Sequence, residues 1–193
     1  MGLRDKIFIK EEEILYKEVL FGDIYQENIL YIMAAIDRYA FSKEKKRQAK
    51  IYTDAAINSD GAFISIYAEE RDSVVKEVVK IKNFEKKNIN LLESVALLYG
   101  FAYTLDKNLK AVIYNDNMDS IKHFQEKVLT PLSNILKDRK ISNFIRFNYV
   151  SGDINKADKT IRKVRINVFG KTPKQVRRRK KKRKTVDNPK NER

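Results

Sequence analysis

The chain has 193 residues, of which 42% are hydrophobic, and it contains no cysteine; that is enough for one globular domain with an appendage, and it removes disulfides, zinc–thiolate sites and cysteine nucleophiles. Its formal charge of +15 points to a polyanionic partner. No apolar run approaches the roughly 20 residues that span a bilayer, and the opening MGLRDKIFIKEEE lacks the apolar centre of a signal peptide, so the sequence reads as soluble, intracellular and without a membrane partner.

Residues 11–41 place Ile14, Leu15 and Val19, then Ile29, Ile32, Met33 and Ile36, at helical spacing around a break at Gly22-Asp23, which predicts a helical extension over 1–49. Residues 11–41 could also serve self-association or a protein partner. SKEKKRQAK, residues 42–50, has no large apolar residue and reads as a linker or frayed helix end.

From Lys50 the period changes. KIYTDAAI, AFISIYAEE and SVVKEVVKI are short, rich in β-branched and aromatic residues, and separated by NSDG and ERD turns, so they predict three consecutive antiparallel strands. NLLESVALLYGFAYTLDK, residues 90–107, has the length of a helix buried around most of its circumference. It is long enough to return LKAVIY, residues 109–114, parallel to the first strand. A helix from about Met118, a break at Pro131, a second helix to about Asp138, the strand NFIRFNYV and a helix from about Ile154 complete the domain over residues 50–170.

The tail, residues 171–193, carries twelve Lys/Arg against two Asp/Glu, which is +10 of the total charge. Eight adjacent cations lie within it: Arg177, Arg178, Arg179, Lys180, Lys181, Lys182, Arg183 and Lys184. With almost nothing to bury and strong self-repulsion, the tail is expected to be disordered alone. It suits contact with nucleic-acid phosphates, and equally a nuclear localisation signal if the host is eukaryotic.

Asp54 ends one apolar strand and Asp116 another. If those strands are parallel neighbours, both carboxylates emerge at one edge of the sheet, and Glu93 lies in the first turns of the intervening helix among Leu91, Leu92, Val95 and Ala96. Taken singly, the two aspartates fit turn positions and Glu93 fits a helix N-terminus. Converging carboxylates repel one another unless a cation is present, and a chain with no Cys and one His favours a hard, oxygen-bound cation.

IYTDAAINSDGAFISIY, NINLLESVALLYGFAYTL, AVIYNDNMDSIK and INKADKTIRK together resemble the ribonuclease H family: Asp at the end of the first strand, an Asn-x-x-Glu helix start, Asp at the end of the fourth strand, and Asn followed by Ala-Asp at the final helix. The resemblance covers about 50–165. It implies an α/β fold with a five-stranded mixed sheet, order 3-2-1-4-5, flanked by helices. It also implies two-metal cleavage, with Mg²⁺ or Mn²⁺, of the RNA strand of RNA–DNA hybrids. Asp54 would bridge two ions, Asp158 would complete the one at the attacking water, and Glu93 with Asp116 would hold the other. Asp153 is the rival for the fourth position, Asn90 suits a ribose 2′-hydroxyl, and Asn58 is the polar candidate in the first hairpin. The sequence departs from the family in its short AAINSDG loop, in SGDIN where many members carry a histidine, and in lacking room for a basic handle between Asn117 and Lys140. DNA or junction nucleases of the same fold, and a catalytically silent nucleic-acid-binding protein, are the competing readings.

Overall fold

The computed structural model describes residues 5–9, 12–84 and 88–170. Its strands are β1 (Asp5–Ile9), β2 (Glu12–Leu20), β3 (Arg47–Asn58), β4 (Gly61–Glu70), β5 (Val74–Lys82), β6 (Leu109–Asn115) and β7 (Ile145–Tyr149). They form one mixed sheet in the order β1-β2-β5-β4-β3-β6-β7. The principal helices are α1 (Phe21–Phe41), α2 (Ile89–Asp106), α3 (Met118–His123), α4 (Ser133–Asp138) and α5 (Lys156–Val168). A π turn, Phe124–Val128, continues α3.

The β3-β4-β5 meander, the α2 crossover, the parallel pairing of β3 with β6 and the place of β7 beside β6 follow the sequence reading, and β7 pairs parallel to β6. The predicted five-stranded sheet is corrected to seven, because two N-terminal strands extend it beyond β5. Residues 12–20, expected to be helical, form β2. Ile14 and Tyr16 are buried, whereas Glu13 is exposed and Leu15 and Lys17 are half-buried, a period of two that sets a half-buried strand. Pairing parallel to β5 brings Glu18 beside Lys80 and Lys82, at 3.2 and 2.9 Å. Lys82 first, then Tyr16 and Lys80, hold the Glu18 carboxyl down at about 2. The helix predicted for this region is confined to α1.

One face of the sheet is covered by α2 and α1, where Ile32, Ile36, Ile51, Ile64, Ile66, Leu92, Leu97, Leu98, Phe101 and Ile113 form the main core. Every residue of α2 from Leu92 to Leu105 is buried. Buried carboxylates of the sheet are met by its tyrosines: Tyr99 Oη donates to Glu77 at 2.5 Å and Tyr103 Oη to Glu70 at 3.3 Å. Gly100 sets the closeness of the helix, since a Cβ there would lie 2.8 Å from Thr53 Cγ2. On the other face α5 packs Ile161 and Val164 against Ile14, Phe63 and Val78. Among the described residues no helix is long and apolar enough to cross a membrane. The tail cations Arg177–Lys184 lie outside the described residues.

Candidate metal centre

β3 and β6 pair in register only as far as Tyr52 and Tyr114, and the site opens where they part. Beyond that point side chains bridge the strands in place of the ladder. Thr53 Oγ1 donates to the Tyr114 carbonyl at 3.1 Å. Asn115 Nδ2 reaches the Thr53 carbonyl at 3.3 Å, Thr53 Oγ1 at 3.2 Å and Glu93 Oε2 at 2.9 Å. Asn155, the N-cap of α5, holds the same Thr53 carbonyl at 3.0 Å through Nδ2 while its Oδ1 accepts from the Ala157 N–H at 3.1 Å. The residue preceding Asp54 is thereby fixed from both sides.

In this gap the ligand oxygens of Asp54, Glu93 and Asp116 all lie within 4.8 Å of one another, two of the residues buried and Asp116 half-buried. β3 presents Asp54, β6 ends just before Asp116, and the N-terminal turns of α2 deliver Glu93 from the helical layer. Burial pushes the Glu93 carboxyl up to about 8. The Asn115 donor opposes this, the Asp116 charge adds to it, the Ala55 N–H opposes it, and the Asp158 charge adds further. A carboxyl so placed keeps its proton at neutral pH unless positive charge arrives.

Asp158 sits in the first turn of α5, close enough to raise Glu93, but its carboxylate is gripped by Arg162. Arg162 Nε donates to Oδ1 at 3.1 Å and Nη2 to Oδ2. It is not among the three that converge. Its rival Asp153 is exposed in the turn before α5.

Asn90 is exposed on α2 beside the site, and its Oδ1 accepts from Asn117 Nδ2 at 3.1 Å. Asn117 also caps α3 by accepting from the Ser120 N–H at 3.1 Å. The cap of α2 itself is Asn88, whose Oδ1 accepts from the Leu91 N–H at 2.9 Å. Asn58 ends β3, buried, four residues along the strand from Asp54, and its Oδ1 accepts from the Asp60 N–H in the turn at 2.9 Å. His123 is half-buried, with Nδ1 3.0 Å from Ser94 Oγ. The supporting residues that sequence reasoning missed are Asn115 and Thr53. An Asn before Asp116 reads as turn chemistry, and nothing in its spacing announces a bond to a helix 22 residues earlier in the chain.

No protein-family model matches the chain, and no curated protein matches it.

Three carboxylates with oxygens this close, one of them buried and driven towards its neutral form, fit a divalent cation, because oxygen-only donors suit a hard ion. Asp54, Glu93 and Asp116 would hold it. Asp158 would serve a second ion only on release from Arg162.

Proposed function

We propose that the protein is a metal-dependent nuclease of the ribonuclease H type that cleaves the RNA strand of RNA–DNA hybrids. The observation that carries this reading is the convergence of Asp54, Glu93 and Asp116 within 4.8 Å at the point where β3 and β6 diverge. Its support includes the run β5-β4-β3-β6-β7 within the larger sheet, which has the 3-2-1-4-5 order of that fold, and the basic charge of the chain.

Asp54, Glu93 and Asp116 would hold one ion, and Asp54 with Asp158, once Asp158 is released from Arg162, would hold a second. Bound as Mg²⁺ or Mn²⁺, the two ions supply the Lewis acidity that sharpens the attacking water and stabilises the leaving oxygen. Asn115 orients Glu93 and, with Asn155, keeps the Asp54 backbone at the strand opening. Asn90 and Asn117 form a polar rim suited to the 2′-hydroxyl that distinguishes RNA from DNA. The departure of this chain from the family at SGDIN leaves no histidine in the loop before α5, so release of product is assigned no histidine.

The test is cleavage of RNA–DNA hybrid, double-stranded RNA and double-stranded DNA with Mg²⁺, Mn²⁺ or EDTA. Metal-dependent cutting of the hybrid RNA strand alone supports the reading. Cutting of DNA or junctions would assign a different nuclease of the same fold. Binding with no cutting under any metal would assign a catalytically silent nucleic-acid-binding protein.

A further inference from the structure

Parallel strands are normally covered on both faces, but the second face of this sheet is covered only in part. Among the described residues α5 packs on β3, β4 and β5, and no helix covers β6 and β7 on that side. The alternation along these strands shows the consequence. Ala49, Ile51, Ala111, Ile113 and Ile145 are buried towards α2, while Lys50, Lys110 and Arg146 are exposed on the other face and Val112 and Tyr114 are half-buried.

The register orders these side chains into rows. Lys50, Val112 and Arg146 are lateral neighbours on β3, β6 and β7. Tyr67, Tyr52, Tyr114 and Asn148 form the next row towards the acids. Tyr52 and Tyr114 stack with centroids 5.1 Å apart and planes 21° from parallel, and the Lys156 ammonium lies over Tyr52 and Tyr67. Asp54 is two residues beyond Tyr52 on β3, on the same face, so the tyrosine row starts about 7 Å from the acid trio. Lys156 is occupied by Glu69 and Lys76 by Glu12. Lys50, Lys110 and Arg146 make no ion pair among the described residues, and by strand geometry they stand about 8 to 10 Å apart.

We propose that this open face is a platform for single-stranded nucleic acid, on which a strand leaving the acid trio lays its phosphates against Lys50, Lys110 and Arg146 and a base against Tyr114 and Val112. The platform rests on the reading of the trio as a nuclease site for the path of the strand, though not for its chemistry. Three cations that make no ion pair among the described residues match a polyanion, since Glu69, the carboxylate across from Lys50 on β4, is already taken by Lys156. An aromatic row between the cations and the acids matches a strand whose bases are free to stack, which an acidic protein surface would not use.

The experiment compares binding of a short RNA–DNA hybrid with and without a single-stranded RNA extension, at either end, by fluorescence anisotropy of the full chain in EDTA. The same measurement is made on K50E/K110E/R146E, on the milder K50Q/K110Q/R146Q, and on Y114A. The basic tail is present throughout and cancels. Wild type is expected to bind the extended hybrid at least tenfold more tightly. The glutamine variant should lose that advantage and show a salt slope shallower by about two units, as three single-strand phosphate contacts require. Y114A should lose part of the advantage without changing the salt slope. Equal binding of blunt and extended hybrid by wild type, or an advantage that survives the charge substitutions in proteins with unchanged melting, overturns the platform. Because no cleavage is read, a failed nuclease assay leaves this result interpretable, and an extension effect without cleavage would assign the face to a binding protein. Preference of the same face for an acidic peptide over RNA would also overturn it.

Discussion

Replacing Glu93 with Gln should remove a pH dependence that the wild-type fold carries when metal is absent. The carboxyl has an ordinary value of 4.5 and is raised to about 8 in the folded chain, chiefly by burial. Between those two values the folded protein holds a proton that the unfolded chain has released. Stability is therefore full below about 4.5 and is lost as pH rises through 8. One proton corresponds to a slope of at most about 1.4 kcal/mol per pH unit, and the coupling to Asp116 and Asp158 spreads the loss over a wider range. Glutamine copies the shape of the protonated acid and keeps an oxygen for Asn115, so E93Q should show a flatter curve. Urea unfolding of both proteins in EDTA at several pH values from 5 to 8 measures the difference. Mg²⁺ should reverse the wild-type trend, since ion binding displaces the proton and tightens as pH rises. Parallel curves for wild type and E93Q would refute the placement of Glu93 in a desolvated acid cluster.

Gly100→Ala sets a Cβ against Thr53 Cγ2 at 2.8 Å, where Thr53 is buried and pinned by its bond to the Tyr114 carbonyl. Overpacking costs about 1–3 kcal/mol and helix propensity returns about 1, so thermal melting should show a net loss of up to about 2 kcal/mol. Asn115→Ala removes the side-chain donor of Glu93, leaving it the Ala55 N–H, and one of the two donors to the Thr53 carbonyl, which keeps Asn155; a stability loss of about 1–3 kcal/mol is expected, with weaker Mn²⁺ binding near pH 7 by calorimetry because Glu93 holds its proton more firmly. Deleting residues 171–193 removes twelve Lys/Arg but none of the four acids, so hybrid binding should weaken and become less salt-dependent while the single-turnover rate at saturation changes little.

The parts of the fold legible in the sequence are those whose side chains repeat one period without interference. KIYTDAAI and AFISIYAEE declare strands through β-branched and aromatic residues, and the apolar circumference of α2 declares a buried helix. β2 was hidden because EEILYKEVL combines glutamates and lysine, good helix formers, with Leu15 adjacent to Ile14. Its identity as a strand depends on a partner more than fifty residues away, since the salt bridges of Glu18 with Lys80 and Lys82 exist only after β5 is in place. Asp116 and Glu93 were legible as strand-end and helix-start residues, because a crossover between parallel neighbours brings such positions to one sheet edge; Asp54, expected to end its strand, instead lies within β3, which runs on to Asn58 in its hairpin with β4 after its pairing with β6 has stopped. The grip of Arg162 on Asp158 was written in the sequence as an i, i+4 pair, but its meaning for the site required knowing that α5 begins beside the trio.

The most direct measurement is single-turnover cleavage of RNA–DNA hybrid by wild type and Asp54→Asn, each with Mg²⁺ and with EDTA, alongside hybrid binding by the same proteins. Asp54 stands within ligand distance of both other members of the trio, and no other acid can replace it from β3. Wild type should cut the RNA strand in Mg²⁺ and not in EDTA, while D54N should bind hybrid as well as wild type and cut it in neither. Equal cleavage by the two proteins in Mg²⁺, or none by wild type with any divalent cation, would contradict the assignment of this site to metal-dependent phosphodiester hydrolysis.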